Sequence, residues 1–188
     1  MQNLTDVDWT ALPRPEDDGA AAHLAGTRIA AVPLAATDGA TVDLSALPGL
    51  TVVYAYPMTG RPDVSLPDGW DAIPGARGCT PQSCAFRDHH AELRDLGVDH
   101  LFGLSTQTTE YQREAAERLH LPFALLSDAN LAFAHAMRLP TFEADGLTLL
   151  KRLTLVLRYG TVEKVFYPVF PPDRSAADVI GWLEERSA

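Results

Sequence analysis

Two cysteines, Cys79 and Cys84, are the whole thiol complement of the chain, and they stand together in the run Cys79-Thr80-Pro81-Gln82-Ser83-Cys84. In a reducing compartment a structural disulfide rarely persists, so thiols this close ask for a chemical role. The stretch from Gly78 to Leu96 reads as loop entering helix, with Cys79 near the helix start. Unpaired backbone N–H groups and the positive end of the helix dipole favour an anion there. A thiolate is such an anion, and cysteines in this setting can have a markedly lowered pKa. Arg77 and Arg87 add positive charge nearby in sequence. An accessible thiolate is the group that peroxides oxidise to sulfenic acid, and a neighbouring thiol can then condense with it and release water. Cys84 is placed for that second part.

The spacing has a mechanical consequence. Residues five apart in an ideal α-helix have Cα atoms ~8.7 Å apart, whereas a disulfide needs less than about 7 Å. The two sulfurs therefore cannot join within one intact helix. Either Cys79 lies outside the helix, or the first turn unwinds in each cycle. Pro81 makes unwinding cheap, because it lacks an N–H and biases Thr80 away from helical angles. The competing reading of each cysteine is an inert, packed thiol. His89 and His90 follow closely, but adjacent histidines point about 100° apart on a helix. No second ligand pair accompanies them, so no metal site is expected.

The elements that must position these thiols can be read from pattern. Residues 1–26 carry five acidic residues and one arginine before Gly19 and read as an extended arm. Thr27–Leu34 and Thr41–Leu44, joined through Asp38-Gly39, suggest a β-hairpin, since Asp-Gly accepts positive φ. Leu50–Tyr56 is a β-rich run closed by Pro57, consistent with a buried strand. Residues 58–78 are rich in Pro and Gly and read as a long loop, of a length compact domains rarely carry without using it. Phe86, His90, Leu93 and Gly97 recur at helical spacing after the cysteines. Val98–Ser105 reads as a strand, Thr109–Leu119 as a helix, Phe123–Leu126 as a short strand and Asn130–Met137 as a short helix. Leu153–Leu157 and Thr161–Phe166 form a late hairpin, and Ser175–Arg186 a closing helix with a capping serine. Strands alternating with helices predict an α/β domain: a central mixed sheet flanked by helices, with an N-terminal β-hairpin. At 188 residues a single domain over 1–188 is expected.

The run Gly78-Cys79-Thr80-Pro81-Gln82-Ser83-Cys84-Ala85-Phe86-Arg87-Asp88 resembles the active-site segment of peroxiredoxins. It is closest to the branch called PrxQ or bacterioferritin comigratory protein, whose two cysteines have the same separation. Tyr54-Ala55-Tyr56-Pro57 is similar to the strand and proline before that family's active-site loop. Leu96-Gly97-Val98, Gly103-Leu104-Ser105, Leu121-Pro122-Phe123 and Leu126-Ser127-Asp128 match its middle section in order. Arg152-Leu153-Thr154-Leu155-Val156 resembles the strand bearing its active-site arginine. The resemblance implies a thioredoxin-like fold and thiol peroxidase activity. Cys79 would be the peroxidatic nucleophile, Cys84 the resolving thiol, and Arg152 the group that holds the thiolate and polarises the peroxide. An intrachain disulfide would be re-reduced by thioredoxin or a similar dithiol, and no cofactor is implied. The family usually has Thr or Ser three residues before the nucleophile, where this chain has Ala76. It also has a much shorter loop than the 21 residues separating Pro57 from Cys79 here. Pro57 and Thr59 are therefore the substrate-binding candidates, and the inserted segment around Trp70 is placed to fold over the thiol.

Other classes find less support. Fifteen Lys+Arg against twenty-five Asp+Glu give a formal net charge of −10, which repels nucleic-acid backbones and anionic membranes. No apolar run approaches the ~20 residues of a spanning helix, and the N-terminus lacks a signal-peptide pattern. A cytoplasmic protein, monomeric or weakly dimeric, is expected, with a small peroxide and a dithiol reductant as its partners. A thiol–disulfide oxidoreductase is the enzyme alternative, although its usual signal is C-x-x-C. A redox sensor using the same disulfide is the non-catalytic one.

Overall fold

The computed structural model describes residues 7–187. Nine strands are assigned: β1 Pro33–Ala36, β2 Thr41–Asp43, β3 Leu50–Ala55, β4 Val98–Ser105, β5 Leu125–Ser127, β6 Thr141–Ala144, β7 Leu147–Leu150, β8 Leu153–Arg158 and β9 Thr161–Phe166. The helices are α1 Cys79–Asp88, α2 His90–Asp95, α3 Thr109–Arg118, α4 Ala132–Met137 and α5 Ser175–Ser187. Seven strands form one mixed sheet in the order β2-β1-β5-β4-β3-β8-β9. β4 runs parallel to both β3 and β5, while β8 and β9 extend the sheet antiparallel from β3. β6 and β7 make a separate antiparallel pair.

The position of β3 explains its composition. It lies between β4 and β8 with every residue buried, so it can be apolar but for Thr51. Successive side chains still alternate between faces. Val52, Tyr54 and Tyr56 join a cluster with Phe86 of α1, Leu93 of α2, and Val179 and Leu183 of α5. Val53 and Ala55 join the opposite cluster, with Phe133 and Met137 of α4. Tyr54 is the anchor on the first face. Its ring stacks on Phe86 at 4.5 Å between centroids, and its hydroxyl donates to Ser83 Oγ at 3.1 Å. The middle of α1 is thereby fixed to the sheet.

Several boundaries differ from the sequence reading, each for a visible reason. The first hairpin strand begins at Pro33 rather than Thr27, because residues 26–29 are drawn to the end of β9 instead. Ile29 N–H donates to the Gly160 carbonyl at 2.8 Å, and Val162 N–H to the Thr27 carbonyl at 2.9 Å. The turn at Asp38-Gly39 forms as expected, closed by Ala36 N–H to the Ala40 carbonyl. Within residues 7–26 the backbone includes a short 3-10 turn at Trp9–Ala11, and Ala21 and Leu24 are buried in the core. The helix after the cysteines breaks at His89, giving α1 and α2. β5 is shifted two residues beyond the expected start, and the expected strands at 153–157 and 161–166 are present.

The β6–β7 hairpin was not anticipated, though Asp145-Gly146 at its turn carries the expected positive φ angles of 50° and 74°. It has a clear structural purpose. Leu149 and Ala144 of the hairpin pack with Trp70 and Ala76 of the long loop, so the hairpin is the platform on which that loop rests.

Under the stacked rings the space is tight. A Cβ on Gly103 of β4 would lie 2.6 Å from Leu125 Cδ2 and 2.8 Å from Tyr54 Cζ. Tyr54 is held by its stacking and hydrogen bond and has little room to yield. Gly103→Ala should therefore cost about 1–3 kcal/mol and lower the thermal midpoint by roughly 3–10 °C, read by thermal unfolding in circular dichroism.

Candidate active site

Gly78 is the residue that turns the chain into α1. It has φ 106°, and a Cβ there would come within 2.7 Å of both Pro172 and Trp9. Cys79 follows as the first residue of the helix, and Gln82 N–H closes the first turn onto the Gly78 carbonyl at 3.0 Å. Cys79 therefore lies inside the helix, at its N-terminal end. Both cysteines are free thiols on one continuous helix, Cys79 buried and Cys84 half-buried. Of the two alternatives posed by the spacing, the first is overturned, and a disulfide requires the first turn to open.

Arg152 enters from the residue before β8, and its side chain is 3% exposed. Nη2 donates to Cys79 Sγ at 3.2 Å and reaches the carbonyls of Gly75, Ala76 and Arg77 at 3.1–3.2 Å. Nη1 donates to Gln82 Oε1. Gln82 is fully buried, and its Nε2 donates to Ser175 Oγ, which is 3.1 Å from Thr154 Oγ1. The chain Arg152–Gln82–Ser175–Thr154 ties the guanidinium to α1, α5 and β8 at once. The sequence reading missed Gln82. Its signal was its position three residues after Cys79, on the same helical face, where a polar side chain facing the core must find a partner.

Cys79 itself is only 4% exposed, so the expected open access is not met in this conformation. Its sulfur also lies 3.7 Å from the Ala76 carbonyl, to which a thiol can donate. Cys79 packs within the core cluster of Tyr54, Tyr56 and Phe86, and residues of the long loop flank it on the outer side. A cleft of about 10 Å³ remains beside Cys79, lined by Met58, Gly60, Leu66, Trp70, Gly78 and Thr80 among others. That volume suits about one water. Trp70 is 4% exposed and sits 6.2 Å, centroid to centroid, from Phe142 of β6. Met58, Gly60, Leu66 and Trp70 of the inserted segment thus border the cleft beside Cys79.

Pro57 is buried at the end of β3. Thr59 is buried too, but its hydroxyl donates to Gln107 Oε1 at 3.2 Å, and its N–H donates to the same oxygen at 2.9 Å. Its neighbours Met58 and Gly60 line the cleft, whereas Thr59 does not. Ala76, which stands where the resemblance has a hydroxyl, contributes its carbonyl to Arg152 and to the sulfur instead. His89 Nδ1 pairs with Glu92 and the His90 ring rests near Phe123, and no cluster of three metal-ligating side chains occurs among the described residues.

The chain is similar to several known proteins. The sequence model of the family described as Redoxin matches residues 24–180. Peroxiredoxin Q, chloroplastic, of Sedum lineare is 31% identical over 134 residues, covering 71% of this chain and 62% of that protein. The protein of the same name from Gentiana triflora is 30% identical, covering 71% and 54%. The chain therefore spans somewhat over half the length of these curated relatives. Among solved structures, peroxidoxin BcpB from Mycobacterium tuberculosis superposes with a TM-score of 0.69 at 25% identity, covering 86% of this chain and 96% of that one. Peroxiredoxin Q of Xanthomonas campestris gives 0.64 at 21% identity, covering 84% and 92%. The fold is thioredoxin-like. Among the described residues no helix is long and apolar enough to cross a membrane.

Burial pushes the Cys84 thiol above its ordinary value of 9.0, with Arg87 opposing that shift and Asp88 adding to it. Burial disfavours the thiolate, so the folded state holds Cys84 protonated to higher pH than the unfolded chain does. In a Cys79→Ser variant, alkylation of Cys84 by iodoacetamide should reach half its limiting rate above pH 9 in the folded protein. The midpoint should fall toward the ordinary value in denaturant.

Proposed function

The chain belongs to the Redoxin family, and from that premise we propose that it is a peroxiredoxin of the PrxQ type, a thiol peroxidase with Cys79 as nucleophile. One observation carries the reading: Arg152 Nη2 donates to Cys79 Sγ at 3.2 Å from within the protein. None of the other hydrogen-bond partners of Arg152 is a carboxylate. Of all its partners the sulfur is the one able to carry a negative charge. The thiolate is also the reactive form of a cysteine.

In the first step the Cys79 thiolate attacks one oxygen of the peroxide and the O–O bond breaks. The sulfur becomes a sulfenic acid, and the other oxygen leaves as water or an alcohol after taking a proton. Arg152 is already aimed at the sulfur, and its donors stabilise charge as it moves onto the leaving oxygen. The cleft of about 10 Å³ is too small for a peroxide, which has two oxygens to water's one. Entry therefore requires Leu66 and Trp70 to give way. Thr59 stands behind Met58 and Gly60 of the cleft wall and is held by Gln107.

In the second step Cys84 attacks the Cys79 sulfenic acid, expelling water and forming the intrachain disulfide. The helix has to open first. Pro81 eases this, because α1 has no N–H to break at that position. Opening also lifts Cys84 out of its half-buried setting, which relieves the penalty on its thiolate. A dithiol of the thioredoxin type then reduces the disulfide by exchange, becoming oxidised itself.

The test is single-turnover reaction with hydrogen peroxide, followed by stopped flow and mass spectrometry of the products. Wild type should end as an intrachain disulfide. Cys84→Ser should react at a similar first rate and accumulate the sulfenic acid on Cys79, while Cys79→Ser should react no faster than free cysteine. Loss of the first reaction in Cys84→Ser would reverse the two roles. A wild-type rate no better than free cysteine would reject the peroxidase in favour of a disulfide oxidoreductase or a redox sensor.

A further inference from the structure

Arg152 also borders a second cavity, of about 460 Å³, that Cys79 does not line. This is within the ~300–1,000 Å³ of small-molecule sites. Three cations meet there: Arg14 from the N-terminal segment, Lys151 and Arg152. Glu16 is the one carboxylate in the lining. Asp18, close by, takes Lys151 Nζ at 2.6 Å and the Tyr167 hydroxyl at 2.7 Å. The lining itself carries three cations against one carboxylate, in a chain whose net charge is −10. The rest of the wall is largely apolar, with Ile73 and Pro74 of the long loop facing Phe142 of β6 and Pro168.

A second observation points to a ligand. Arg152 makes its five hydrogen bonds through Nη1 and Nη2, and its buried Nε has no partner. Buried donors are nearly always satisfied. Arg152, whose guanidinium keeps one N–H without a partner, thus borders the cavity beside two further cations, a setting suited to an anionic oxygen acceptor. The apolar walls and the carboxylates of Glu16 and Asp18 disfavour a compact dianion such as phosphate.

We propose that this cavity binds a small organic monoanion, with its carboxylate among Arg14, Lys151 and Arg152 and its apolar body against Ile73, Pro74 and Phe142. A carboxylate held there draws on the same guanidinium that holds Cys79, so occupancy would slow the first step of the reaction proposed above. That consequence rests on the peroxidase reading. The binding itself does not, and it is measured without peroxide.

The experiment is isothermal titration of the reduced full chain with hexanoate and, separately, with its neutral counterpart hexanamide. Hexanoate should bind with one-to-one stoichiometry, about tenfold or more tighter than hexanamide, the effect of one charge-assisted contact. Cys79→Ser should bind hexanoate at least as tightly as wild type does. The double variant Arg14→Gln, Lys151→Met should lose about tenfold or more. Equal affinity for the two probes, no saturable binding, or undiminished binding in a folded double variant would overturn the proposal. So would loss of binding in Cys79→Ser, which would move the anion to the cysteine cleft. If the double variant fails to fold, the comparison of hexanoate with hexanamide on wild type decides alone.

Discussion

The guanidinium of Arg152 sits inside the protein with no carboxylate to answer it, and much of the surrounding structure follows from that constraint. Placing a cation in the interior is expensive unless its protons are taken up and its charge is met. Three carbonyls from the end of the long loop, a glutamine on α1 and the sulfur of Cys79 do this together. The carbonyls can converge because Gly78 turns the chain sharply just before the helix. The glutamine is held by Ser175 at the start of α5, and the sulfur by its place on the first turn of α1. The arginine thus links the loop, two helices and β8, and it gives the nucleophile its electrostatic partner.

The same arrangement sets two demands in opposition. Stacking of Phe86 on Tyr54 fixes the middle of α1 to the sheet, while disulfide formation asks the start of that helix to open. The division falls naturally between the two parts. Phe86 lies in the second half of the helix, and Pro81 lies in the first turn, where it contributes no N–H. The long loop adds a further demand, since it borders the cleft beside Cys79 and rests Trp70 against a hairpin outside the main sheet. The space left beside the sulfur suits about one water, and the peroxide must move side chains to arrive.

The chemistry-bearing residues were the most legible part of the sequence. Cys79, Cys84 and Arg152 stand in strongly patterned surroundings, and the structure brings Cys79 and Arg152 into contact. β3 was readable because a β-rich run of six residues, apolar but for Thr51, has few other homes. The residues that support the site were harder to see. Gln82 looks like any helical polar residue until the face it shares with Cys79 is counted. The β6–β7 hairpin is short, and its apolar residues answer to Trp70 some seventy positions earlier, a pairing no local pattern contains. Segment 27–32 has strand-like composition, but its partner proved to be the far end of β9 rather than its neighbour in sequence. Thr59 illustrates the same limit, because its hydroxyl is taken by Gln107 rather than offered to the cleft.

The most direct test of the Arg152–Cys79 pairing is the rate of Cys79 oxidation by peroxide in a Cys84→Ser background, compared across arginine, lysine and methionine at position 152. A preorganised donor in a buried site is worth about 10²–10³ in rate, and lysine lacks the planar fork that serves the sulfur, Gln82 and the carbonyls together. Arg152→Met should slow the reaction by about that factor, and Arg152→Lys should recover only a small part of it, with thermal unfolding confirming that both variants fold. A methionine variant that folds and reacts as fast as its parent would contradict the account.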